Sequence, residues 1–205
     1  MARRDIVVVG ASAGGVETLR QLVQTLPAGL PAAVFVTVHF PPQGASVLPR
    51  ILSRCGALPA IHAAHGDAIV NGRIYVAPPD HHLLVHRDYI ALARGPRENG
   101  NRPAVDPMFR SAAVAFGERV IGIVLSGMLD DGTAGALAIK RAGGVAIAQD
   151  PRDALFPSMP QCAIERARVD HVLPVSKIGA AVFQFVTEEI STDAAGSSRT
   201  RAHRP

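Results

Sequence analysis

A chain of 205 residues with 48% apolar side chains can bury a full core in one globular domain, so a chain that stays unfolded for lack of core is excluded. The formal net charge of +4 does not mark a phosphate-binding surface, because Arg199, Arg201 and Arg204 against Asp193 place half of it in the last fifteen residues. Aromatic residues at 4%, with no Trp, leave base stacking few candidates, and no apolar run reaches the ~18 residues of a membrane span, which sets aside nucleic acid and direct membrane insertion.

The start, Met1-Ala2-Arg3-Arg4-Asp5, has no signal-peptide pattern and leads into a strand, so a soluble cytoplasmic protein is expected. Cys55 and Cys162 lie far apart and show no CxxC spacing, as small partly buried thiols do. Ile6 to Val9 is a β-branched strand run. It opens into a glycine-rich turn and a helix with apolar residues at Val16, Leu19, Leu22, Val23 and Leu26. Ala33 to Val38 predicts a second buried strand ending at His39; Pro41 and Pro42 then delay a helix over Ser46 to Arg54. A βαβ start of this kind pairs in parallel.

The middle predicts short strands at Ile69-Val70, Arg73 to Ala77, Leu83 to Val85 and Tyr89 to Leu92, divided by turn signals, so a hairpin interrupts the alternation. From Asp106 the pattern resumes: helix to Phe116, strand Val120 to Leu125, helix Thr133 to Arg141, strand Val145 to Ala148. Ser176 is expected to cap a final helix ending near Glu188. The expected fold is α/β: a three-layer sandwich around a mostly parallel, doubly wound sheet with an inserted antiparallel β-hairpin. One domain over residues 1–190 is expected, with 191–205 a disordered tail poor in bulky apolar residues.

The turn Gly10-Ala11-Ser12-Ala13-Gly14-Gly15 admits several chemistries. A dinucleotide fingerprint needs glycine where Ser12 stands, and a P-loop needs Lys and Ser/Thr where Val16 and Glu17 stand. The segment does match G-x-S-x-G, which lifts a nucleophilic serine above a sheet edge, although Ser12 could equally serve as a helix N-cap. His39 ends the second strand. Leu125-Ser126-Gly127-Met128-Leu129-Asp130-Asp131-Gly132 ends a third with two carboxylates. Serine, histidine and aspartate at three carboxyl ends of one parallel sheet suit a nucleophile, a general base and the acid that orients it. The order Ser, His, Asp departs from the α/β-hydrolase order Ser, Asp/Glu, His. His62, His65 and Asp67 lie on loops without metal-site spacing, so no metal is expected there.

These residues resemble the catalytic domain of the CheB-type chemotaxis methylesterases. The matching segments are Val8 to Gly15, Val38-His39-Phe40, Tyr75 to Pro78, His82 to Val85, Arg102 to Asp106, Gly127 to Gly132, Ile147 to Asp150 and Met159-Pro160. The resemblance implies hydrolysis of glutamate γ-methyl esters on chemoreceptor helices, with glutamine deamidation as a second activity, and no cofactor. It places the nucleophile on Ser12, the base on His39 and the acid on Asp131 rather than Asp130. It places oxyanion support at Ala13 and Met128. Many members have Thr at position 13 and Gly at 129, where this chain has Ala13 and Leu129. Members usually carry an N-terminal receiver domain. With the first strand at residue 5, a stand-alone catalytic domain is expected, regulated by a separate receiver. A different esterase or amidase, or a binding module without turnover, would share the scaffold; labelling of Ser12 by a fluorophosphonate separates the last from the others.

Overall fold

The computed structural model describes residues 2–39 and 46–190; Pro41, Pro42 and the tail 191–205 lie outside the described residues. Nine strands and six α-helices alternate through it: β1 (Ile6–Ala11), α1 (Gly15–Thr25), β2 (Ala33–Val38), α2 (Leu48–Cys55), β3 (Ala60–His62), β4 (Ile74–Val76), β5 (His82–Val85), β6 (Ile90–Ala93), α3 (Val105–Phe116), β7 (Val120–Val124), α4 (Thr133–Arg141), β8 (Val145–Gln149), α5 (Ser158–Cys162), β9 (His171–Leu173) and α6 (Val175–Thr187). Seven strands form one parallel sheet in the order β3-β4-β2-β1-β7-β8-β9, while β5 and β6 pair antiparallel beside it. All residues of β1, β2 and β7 are buried, which is why these strands read as unbroken apolar runs rather than alternating ones.

Two cores flank the sheet. Val7, Val9, Val34, Val36, Ile121 and Ile123 point to the layer of α1, α2 and α6; Ile6, Val8, Phe35, Tyr75, Val120 and Val124 point to the layer of α3, α4 and the hairpin. The chain leaves β1 in one direction toward β2 and β4 and returns on its other side at β7. A crevice therefore opens at the carboxyl ends of β1 and β7, where ligands enter open α/β sheets.

Three details differ from expectation. Ile74–Val76 joins the parallel sheet instead of the hairpin, and Ile69-Val70 is not in a strand. The edge strands β3 and β9 and helix α5, which continues into a π-helical turn at Ala163–Ala167, carry too few residues for a periodic signal. Pro174, not Ser176, occupies the cap position of α6; its fixed φ suits the entry to a helix, and no side chain caps that end.

Candidate active site

Parallel register brings the three sequence-marked strand ends together. Gly10 and Ala11 pair with Thr37 and Val38, and Gly10 pairs with Val124, so Ser12, His39 and the loop after β7 emerge at one edge. Ser12 is not the cap of α1. That place belongs to Gly14, whose φ of 73° is left-handed and favours a residue without Cβ, and whose carbonyl accepts the Thr18 hydroxyl. The Ser12 side chain is thereby free to face the crevice. Its N–H donates to the Ser126 carbonyl at 3.0 Å, tying the β1 turn to the β7 loop.

His39 stands 3.0 Å from Ser12 Oγ through Nδ1 and 2.7 Å from Asp131 Oδ2 through Nε2. Asp131 is 1% exposed, whereas Asp130 turns outward to an ion pair with Arg166. Burial alone would raise the Asp131 pKa. Hydrogen bonds from His39, from the Val105 N–H and from Asn99 outweigh it and hold the carboxyl below its ordinary range. The Val105 and Asp106 N–H groups, at 2.7 and 3.1 Å, are the first of α3, so the positive end of that helix also faces the carboxylate. An ionised carboxylate can only accept, which puts the imidazole hydrogen on Nε2 and leaves the Nδ1 lone pair toward Ser12 Oγ.

Ala13 and Met128 lie on the two loops that flank Ser12, and among the described residues neither N–H has a hydrogen-bond partner. Ser126, fully buried, staples these loops: its hydroxyl donates to the Ala13 carbonyl at 2.9 Å and accepts the Phe156 N–H at 3.0 Å. A cleft runs from Ser12 and His39 between α1 and α2, with Val16, Val38 and Ile51 as apolar lining and Arg20 and Arg54 beside it. His82 and Arg102 do not line that cleft. His82 accepts the Ala104 N–H at 3.2 Å, and Arg102 pairs with Asp80, so both brace the segment entering α3. His62 and His65 bond to the Ser46 carbonyl and the Leu92 N–H, and among the described residues no group of three or more His, Cys, Asp or Glu could hold a metal ion.

Residues 7–182 match the sequence profile of the CheB methylesterase family. The chain belongs to the CheB methylesterase family. It is 37% identical over 191 residues to a Methanosarcina mazei protein named protein-glutamate methylesterase/protein-glutamine glutaminase 2, covering 89% of this chain and 52% of that one. A similarly named Pseudomonas aeruginosa protein is 39% identical over 188 residues, covering 90% and 54%. The chain thus spans about half the length of the curated relatives it matches. The crystal structure of the Thermotoga maritima CheB methylesterase catalytic domain superposes with a TM-score of 0.86 at 33% identity, covering 91% of this chain and all of that one.

Two residues to which the sequence assigns no role, Asn99 and Asp106, also belong to this site. Asn99 Nδ2 lies 2.8 Å from Asp131 Oδ1 and 3.1 Å from Asp106 Oδ2. Asp106 matched the family only as part of a segment. The one local signal for Asn99 is the dipeptide Asn99-Gly100, a strong marker of tight two-residue turns.

Proposed function

We propose that this CheB-family chain hydrolyses glutamate γ-methyl esters on the cytoplasmic helices of methyl-accepting chemoreceptors, with Ser12 as nucleophile, His39 as general base and Asp131 as the acid that orients it. The observation that carries the proposal is the continuous hydrogen-bonded line from Ser12 Oγ through His39 to Asp131. Ser12 Oγ attacks the ester carbonyl carbon while its proton passes to His39 Nδ1, and Asp131 stabilises the imidazolium. The oxyanion is received by the Ala13 and Met128 N–H groups, both without a competing acceptor among the described residues. Collapse expels methanol, protonated by His39. Water, deprotonated by the same nitrogen, then hydrolyses the acyl-serine to glutamate and free Ser12. A glutamine side chain entering the same route would lose its amide nitrogen as ammonia, protonated by His39, and the acyl-serine would be hydrolysed to the same glutamate.

This cycle needs no cofactor. It acts in the cytoplasm, where those receptor helices lie, and its regulation is assigned to a receiver domain acting from outside the described residues. Methanol release from methylated receptor fragments tests the reading: the unaltered chain releases methanol and Ser12→Ala falls to background. Equal release by both proteins overturns it.

A further inference from the structure

We propose that Asn99 is a positioning residue for this reaction, the amide that sits between Asp131 and Asp106 and fixes the carboxylate facing His39. The inference rests on the Ser12–His39–Asp131 reading. Asn99 and Gly100 are the two central residues of a tight turn, with φ of 50° and 76°. Glu98 and Asn101 close it through paired backbone bonds of 3.1 and 2.8 Å. Left-handed conformation at both centres defines the type I′ turn, which asparagine followed by glycine adopts most readily. The turn is fastened to α3, since Arg110 Nη2 donates to both Glu98 oxygens at 2.9 and 2.6 Å.

So held, the Asn99 amide faces two acidic side chains with its two N–H hydrogens, one for each at 2.8 and 3.1 Å. Of the four donors on Asp131, Asn99 is the closer of the two on Oδ1. Asp131 Oδ2 is fixed by His39 and the Val105 N–H, while Oδ1 is held by Asn99 and by the weaker 3.1 Å bond from the Asp106 N–H. Without Asn99 the carboxylate can rotate about its Cβ–Cγ bond and loosen the contact that sets the imidazole tautomer. Charge matters as well. Asp106 is held above the ordinary carboxylate range, first by burial and then by the neighbouring Asp131 charge, and Asn99 opposes that shift. The ionisable groups facing the pair are His39 on Asp131, Arg110 toward Asp106, and Glu98 on Arg110. Taking the amide away leaves two carboxylates with no side-chain donor between them, a more negative environment for His39.

The test uses Asn99→Ala and the near-isosteric Asn99→Asp in the full chain, with a small acyl ester as substrate. Asn99 is exposed and its turn is closed by backbone bonds and by the Glu98–Arg110 pair, so both variants should fold, and a cooperative melt confirms it, lowered by the cost of replacing asparagine at a φ of 50°. Tenfold or greater loss of kcat is expected with KM within about twofold. The acid limb of the kcat–pH profile should move upward, because the unscreened carboxylates favour the imidazolium. Asp106→Asn added to Asn99→Ala should bring that limb back. A kcat within twofold of the parent overturns the proposal, as does an acid limb that stays in place or that Asp106→Asn does not restore. If Ser12→Ala were as active as the parent, the triad reading would fail instead.

Discussion

Asp131 and Asp106 each cap the helix that the other introduces. Asp131, two residues before α4, accepts the Val105 and Asp106 N–H groups at the start of α3, and Asp106 accepts the Gly135 N–H in the first turn of α4 at 2.7 Å. The exchange requires close helices, and Gly135 permits it: a Cβ there would lie 2.4 Å from Phe109 Cβ. The acid of the site is thus built from the packing of two helix starts, whose unpaired N–H groups meet two carboxylates.

Asp131→Asn should therefore injure both chemistry and fold. An amide offers one acceptor where the carboxylate serves four donors, so a donor presented by α3 or His39 is left facing N–H hydrogens. A buried polar group deprived of its partner costs about 1–3 kcal/mol, and loss of the orienting acid in a Ser-His-Asp site lowers kcat on the order of 10⁴-fold. Urea melts and ester hydrolysis measured on the same variant check the two effects. A variant that keeps a tenth of the parent kcat would show that Asp131 does not orient His39.

The two carboxylates should also leave opposite marks on stability against pH. The folded pKa of Asp131 is lowered, because its hydrogen bonds outweigh burial. Its stabilising contribution is therefore complete above the unfolded carboxylate value of ~3.9 and is lost as pH falls from there through the lower folded value. The folded pKa of Asp106 is raised, by burial first, so its ionisation weakens the fold at neutral pH, and that penalty disappears on acidification through the folded value toward ~3.9. Denaturation between pH 3 and 7 should show the parent losing its advantage over Asp131→Asn below about pH 4. Over the range above it, the parent should gain relative to Asp106→Asn as pH falls. A constant difference from pH 3 to 7 for either pair would contradict the sign given for it.

The contrast between Asp131 and its partners shows what a sequence discloses. β1, its turn and α1 are legible because an apolar run and a 3.6-residue period are local, and Ser12 and His39 follow because every parallel strand delivers its carboxyl end to one edge. The choice of Asp131 over Asp130 is not local. It depends on α3, whose first N–H groups lie 25 and 26 residues away. The Asn99 and Asp106 contacts are likewise made by packing, and no spacing rule announces a side chain that caps another helix. β4 shows the same limit: nothing local in Arg73 to Ala77 tells a parallel strand from a hairpin strand, and only the buried partner β2 makes it parallel.

Gly127→Ala should displace Ser12. A Cβ at 127 would lie 2.1 Å from Met159 Sδ and 2.9 Å from Ser12 Cβ, and Met159 is fully buried. Overpacking of this kind costs about 1–3 kcal/mol. Met159, fully buried, has no open space to withdraw into, so the serine should be pressed away from His39, with at least a tenfold loss of fluorophosphonate labelling rate at Ser12 and a lower melting temperature. Labelling at the parent rate would show that Met159 alone absorbs the clash.

Leu129→Gly should not destabilise the protein, although it removes a leucine. Leu129 holds a φ of 65°, where an L side chain with a Cβ is strained by about 1–2 kcal/mol, and the residue is 67% exposed, so little apolar burial is forfeited. Glycine relieves the strain but enlarges the entropy of the unfolded chain by about 0.5–1 kcal/mol, which leaves a net gain between zero and about 1.5 kcal/mol. Leu129→Ala keeps the strained Cβ and should gain nothing. Chemical denaturation of the two variants side by side decides the point: if the glycine variant proves less stable than the alanine one, the Leu129 backbone is not strained.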